Sequence, residues 1–169
     1  MKGSGFGVQG SEGRKGTHTK NGQQGPVSGV MRIEDLVVYQ RLCKLHLEIC
    51  ELARGWPKDE RFELASQVRR SSNSAPANLA EKHSDRHLRN KIEGVNRARG
   101  EAPETVHHLY IARLKSYLSE PAYEDMRQRY MECVRMLNGL ERTLEQHLPD
   151  SDRHWPERTG TRVVPNPEP

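Results

Sequence analysis

Between Tyr123 and Leu144 apolar side chains recur at Tyr123, Met126, Tyr130, Cys133, Leu137, Leu140 and Leu144, in strictly alternating three- and four-residue steps. On a chain that turns once every 3.6 residues this spacing draws one stripe along one face, and it predicts a long amphipathic helix from about Glu120 to His147. Val38, Leu42, Leu45, Ile49 and Leu52 draw a similar stripe and predict a helix from about Asp35 to Arg54, stopped by Gly55 and Pro57. Two further stripes lie between these. Leu64, Val68, Ser71, Ala75 and Leu79 predict a helix from about Asp59 to His83, and Leu88, Ile92, Val95, Ala102, Val106 and Leu109 one from about Asp85 to Leu118, with Ser84 as the cap between them.

The two middle helices carry the irregularities. Residues 71–75 are Ser, Ser, Asn, Ser and Ala, so a neighbouring helix can approach closely, and Pro76 removes a backbone donor and crowds the carbonyl four residues back, which predicts a bend or restart with Ser72 or Ser74 bonding the freed groups. Gly94, Gly100 and Pro103 weaken the third helix and predict a kink or break near residues 100–103. Four long helices with short connections and no strand pattern give an all-α chain, an antiparallel up-down-up-down four-helix bundle. Leu36, Cys43, Leu47, Cys50, Ile111 and Leu114 lie off the main stripes, more apolar surface than one core needs, which favours a homo-oligomer.

Composition divides the 169 residues into three parts. Nine of the 14 glycines fall in residues 1–30 together with Lys2, Arg14, Lys15 and Lys20, which predicts a disordered basic leader at 1–30, with Met31 as an alternative start. The bundle is expected at 31–149. Residues 150–169, rich in proline, are expected to be a disordered tail. Nothing in the leader resembles a signal peptide, no apolar run approaches the roughly 18 residues of a membrane span, and the three cysteines form no CxxC pair, so a reduced, cytoplasmic setting without membrane contact is expected.

Charge changes the picture more than composition does. Residues 31–150 are nearly balanced, with 20 basic side chains against 19 acidic, yet residues 61–99 hold nine Lys and Arg against four acids. Arg69, Arg70, Arg86, Arg89, Arg97 and Arg99 are the candidate nucleic-acid-binding residues, because the planar guanidinium fork matches phosphate oxygens. A solvated face with Glu-Arg pairs or an inter-subunit salt bridge accounts for the same residues. The nine aromatics do not interleave with these arginines, so binding to RNA or DNA would be led by phosphate, sensitive to salt and weakly sequence-specific.

Other chemistry is sparse. Gly5 to Gly10 spells GxGxxG, but without the preceding strand and following helix that a dinucleotide site requires. Glu104 and His107 form one Glu-x-x-His, where a di-iron bundle needs two and further carboxylates. His83 and His87 lack a third ligand, and Cys43, Cys50 and Cys133 read as small core residues. No nucleophile elbow, zinc-protease or phosphate-loop motif occurs, so a non-enzymatic protein without cofactor or metal is expected.

The segment Gln67 to Glu81, QVRRSSNSAPANLAE, with Trp56-Pro57-Lys58-Asp59-Glu60-Arg61 and Glu34-Asp35-Leu36-Val37-Val38-Tyr39 upstream, resembles the four-helix-bundle family named for proteins encoded in intervening sequences of 23S ribosomal RNA genes. The likeness spans roughly Met31 to His147. Lys82 stands where the family usually has Gly, Pro103 interrupts a strong helix former, and Lys115-Ser116-Tyr117-Leu118 replaces Leu-Gly-Tyr-Ile/Leu. The resemblance implies ring-like pentamers, and a related branch implies a partner, the reverse transcriptase of a diversity-generating retroelement. Pro76, Asn78 and Glu81 are the motif's structural residues, with Asn78 and Glu81 expected as a buried amide and carboxylate tying the proline kink to a neighbouring helix. The expectation is an oligomeric scaffold or accessory factor that binds RNA or DNA. The alternatives are a protein that docks a reverse transcriptase and a purely structural oligomer.

Overall fold

A computed structural model describes residues 31–154. The expected leader at 1–30 and the expected tail from residue 155 lie outside the described residues. Four helices form: α1 (Val37–Arg54), α2 (Leu64–His83), α3 (Leu88–Leu114) and α4 (Glu120–Glu145). Among the described residues there are no strands. Single 3-10 turns stand at Ile33–Asp35, Lys58–Arg61 and Asp150–Asp152. At about 1.5 Å per residue the helices are about 27–40 Å long.

Each helix packs on its neighbour in the chain, and α4 returns to α1. The connections at 84–87 and 115–119 are too short for anything but an antiparallel return, so the bundle runs up-down-up-down. Its core is the predicted stripes: Leu42, Ile49, Val68, Ala75, Leu109, Tyr130 and Leu137 are fully enclosed. The α2–α3 seam is the most extensive. Ser71, Ser72 and Ala75 are buried as expected from their size, Ser72 towards His46 on α1, and Gly94 supplies a close approach from α3 onto Asn78 and Lys82. A Cβ at Gly94 would stand 2.6 Å from Lys82 Cβ and 3.0 Å from the Asn78 carbonyl. Gly94 therefore serves packing, a role beyond the helix-weakening effect expected of it.

Helix boundaries depart from expectation where side chains compete with the backbone. α2 begins at Leu64, five residues later than the apolar pattern predicts. The Glu60 carboxylate turns into the bundle end, accepts the Leu64 N–H at 3.3 Å and the Tyr117 hydroxyl at 3.1 Å, and pairs with Lys115 Nζ. Residues 58–61 consequently wind as a 3-10 turn. Ser84 is the C-cap residue of α2, while α3 starts from His87 as its N-cap without a side-chain cap; the Asp85 carboxylate braces the connection by accepting the His87 N–H at 2.7 Å and Asn90 Nδ2 at 2.9 Å.

α3 stops at Leu114, short of Leu118, because Ser116 adopts φ 61°. The Ser116 N–H then bonds the Arg113 carbonyl and the Tyr117 N–H the Ala112 carbonyl, each at 2.9 Å. This is a Schellman end, which normally uses glycine for its left-handed residue. Neither proline ends its helix. α2 continues through Pro76 and α3 through Gly100 and Pro103, the latter proline on the solvent side while Ala102 and Thr105 fill the core. The hydroxyls of Ser72 and Ser74 donate to the Arg69 and Arg70 carbonyls, one turn before the groups that Pro76 frees.

Candidate nucleic-acid interface

The helix registers place the six arginines in different settings. Arg70 is exposed on the first half of α2, and Arg86 is exposed in the connection that follows it. Sixteen positions separate them, on the order of 20–25 Å at about 1.5 Å per residue. Among the described residues neither guanidinium has a carboxylate partner. Arg69 faces the α1–α2 connection and donates to the Arg61 carbonyl at 3.1 Å.

Arg89 and Arg97 lie on the outer face of α3 with side chains 72% and 56% exposed. Arg97 pairs with Glu93 one turn back at 2.5 Å, and Arg89 pairs with Asp152 from beyond α4. Exposed pairs of this kind contribute little, and both arginines can turn to another anion. Arg99 is different. It reaches across the α3–α4 seam to Glu141, whose side chain is 1% exposed, and donates to Asn138 Oδ1 at 3.1 Å and Asn96 Oδ1 at 2.5 Å. That geometry makes Arg99 a tie between helices. The structure thus brings Arg86, Arg89 and Arg97 along the α2–α3 end and the outer face of α3, and leaves Arg70 at a distance from them.

The motif residues also settle differently. Pro76 is buried on the side of α2 that faces Tyr39, Cys43 and His46 of α1. Asn78 is half-buried and its amide bonds the Ser74 carbonyl of its own helix at 2.8 Å. Glu81 is exposed and pairs with the adjacent Lys82 at 3.0 Å, an arrangement that raises the Lys82 amine above its ordinary value. Neither of these bonds crosses to a neighbouring helix, so the expected tie is made instead by the Asn78 backbone and the Lys82 stem packing on Gly94.

Several polar features escaped the sequence pattern. Arg129 on α4 grips Glu48 on α1 through both carboxylate oxygens, at 2.6 and 2.7 Å, and this hydrogen bonding holds the Glu48 carboxyl below its usual range. Arg153, inside the expected tail, folds back onto the end of α4: its Nε donates to the Glu145 and Leu148 carbonyls and its Nη2 to the Gln146 carbonyl, all at 3.1 Å. Residues 150–154 therefore pack on the bundle. A lone arginine after a proline carries no periodic signal that would have revealed this.

Glu104 and His107 are both exposed, and Glu104 lies 3.7 Å from His108 instead. Among the described residues no group of three His, Cys, Asp or Glu side chains is placed to hold a metal, and no helix is long and apolar enough to cross a membrane.

Among curated proteins none matches the chain. Among solved structures it is similar to the crystal structure of a protein of unknown function from the S23 ribosomal protein family of Bacteroides thetaiotaomicron. The two share 24% identity and a TM-score of 0.58 over 62% of this chain and 98% of the other, a likeness of fold. The 23S rRNA-intervening sequence protein family model matches residues 34–139, well over half of the chain, from the turn before α1 into α4. The chain belongs to the 23S rRNA-intervening sequence protein family.

Proposed function

We propose that this protein is a non-enzymatic, oligomeric scaffold that binds structured RNA or DNA through phosphate contacts from Arg70, Arg86, Arg89 and Arg97. The observation that carries this reading is the exposed pair Arg70 and Arg86, which keep no carboxylate partner among the described residues. Desolvating an unpaired guanidinium against phosphate breaks no existing ion pair, and Arg89 and Arg97 exchange only weak surface pairs. Family membership supports an RNA context. The exposed Leu47 and Leu114, 65% and 58% accessible, support self-association.

The test is binding of a structured RNA at 50 mM and 300 mM salt. Affinity should fall steeply with salt, and each of R70A, R86A, R89A and R97A should lower the slope of log affinity against log salt by about one. R99A is the control that should leave the slope unchanged in folded protein. Absence of binding at 50 mM, or a slope indifferent to all four substitutions, overturns the reading. The same exposure of Arg70 favours a second reading, in which it joins subunits. Light scattering on R70A distinguishes the two: an unchanged mass removes the subunit role, and a fall in mass removes the simple phosphate role.

A further inference from the structure

Phe62 is 80% exposed, the most accessible large apolar side chain among the described residues. It stands in the short turn between Lys58–Arg61 and α2, and the chain on both sides of it is pinned. Two residues before it, Glu60 is anchored in the bundle end by Lys115 and the Tyr117 hydroxyl. Two residues after it, the Leu64 N–H donates to the same carboxylate at 3.3 Å. The ring is thus held out to solvent from a fixed base. A single exposed aromatic is ordinary, but this one stands among cations. The Arg61 guanidinium lies 5.5 Å from the ring centroid, within cation–π reach. Arg69 donates to the Arg61 carbonyl at 3.1 Å, one peptide bond from the Phe62 nitrogen, and so brings a second guanidinium to the turn. Arg70 follows it, and Lys58 opens the turn, both exposed. None of these four cations has a carboxylate partner among the described residues. Of the acids in this stretch, Asp59 and Glu63 are exposed and Glu60 is turned inward to Lys115.

We propose that Phe62 is a stacking platform for an unpaired base of a single-stranded or loop segment of nucleic acid, with Lys58, Arg61 and Arg70 holding the flanking phosphates and Arg69 bracing the turn. This rests on the phosphate-binding function proposed for the exposed arginines and adds to it a preference for unpaired strands. In a duplex each base is covered on both faces by its neighbours, so only an unpaired base offers a face to the ring. Phenylalanine carries no donor or acceptor, so the platform tolerates any base. Charge selects the occupant. An apolar protein segment would leave the four cations without anions, whereas a strand brings a phosphate on either side of the base it stacks. Seven positions separate Phe62 from Arg69, so no interleaving of aromatics and arginines shows in the sequence. The bond to the Arg61 carbonyl closes that distance.

The experiment uses the full chain and two fluorescein-labelled RNAs with equal numbers of phosphates, a hairpin with a large unpaired loop and a blunt duplex. Affinity is read by anisotropy at 50 mM and 300 mM salt. The hairpin should bind severalfold more tightly than the duplex. F62A should weaken the hairpin about five- to a hundredfold, the range for losing one base–aromatic stack, and leave both the duplex affinity and the salt slope unchanged. F62L, which keeps apolar bulk without a ring face, should behave as F62A does, and F62W should retain the preference. Because Phe62 is exposed, all three should melt with the unaltered protein. Salt-sensitive binding of both RNAs that F62A leaves unchanged or lowers equally overturns the platform while the phosphate function stands, and so does a hairpin preference that F62L keeps. No binding of either RNA at 50 mM salt overturns both. A fall in mass of F62A by light scattering assigns the ring to a contact between subunits and overturns the platform.

Discussion

Single residues in this bundle matter where the backbone or a buried charge leaves no alternative. Ser116 holds a left-handed conformation that costs an L-residue about 1–2 kcal/mol. S116G should raise stability by up to about 1 kcal/mol, net of glycine's greater unfolded entropy, read as a melting temperature about 2–4 °C higher. Gly94 is the converse case. G94A would set a methyl 2.6 Å from Lys82 Cβ and should destabilise by about 1–3 kcal/mol. Removing the Lys82 Cβ with K82G should recover part of that loss, which a double-mutant melting series would show. Arg99 tests the buried charge: R99A removes the guanidinium from Glu141, 1% exposed, and should cost about 2–4 kcal/mol in denaturant titration.

At the scale of elements, the ends of the helices decide where each stops. Arg153 satisfies three carbonyls at the C-terminus of α4 and positions Asp152 on Arg89. R153A should fray the last turn, accelerating hydrogen exchange at residues 144–148 and costing about 1–2 kcal/mol in stability. At the opposite end of the bundle, Trp56 and Tyr117 rings lie 6.0 Å apart beside the buried Glu60, so the α1–α2 and α3–α4 connections form one unit. A change in either connection should move exchange rates in both.

For the whole molecule the charges give a two-step response to acid. Burial lowers the pKa of His46 and of His108, the latter despite Glu104 at 3.7 Å, so the unfolded chain binds more protons than the folded one as pH falls through about 6.5. Stability should decline from pH 7 towards pH 5, and H108N should flatten that part of a melting-temperature profile. Glu101, raised by burial, works in the opposite sense and offsets some of the loss near the upper carboxylate range. Glu60, held down chiefly by Lys115, and Asp85, held down chiefly by the His87 N–H, contribute stability above the ordinary carboxylate range that is lost as pH falls through their lowered values. A second, steeper decline should follow below about pH 4.

The apolar stripes by themselves determined four helices, their order and their core, because a 3.6-residue repeat with Leu, Val and Ile on one side has few other places to bury them. Leu42, Ile49, Val68, Leu109, Tyr130 and Leu137 could be named from spacing alone and are the centre of the bundle. The close α2–α3 approach was not legible: it lies at Asn78 and Lys82, beyond the small residues 71–75, and its other side, Gly94, read only as a weak point, since the sequence does not say which glycine faces which helix. What tertiary structure alone decided is the fate of the charged groups. Six arginines in one stretch looked alike in the sequence. Folding left Arg70 and Arg86 open, gave Arg89 and Arg97 exposed partners, turned Arg69 to a carbonyl and committed Arg99 to a buried glutamate 42 positions away. A charge's role depends on which neighbour desolvates it, and that neighbour comes from another helix.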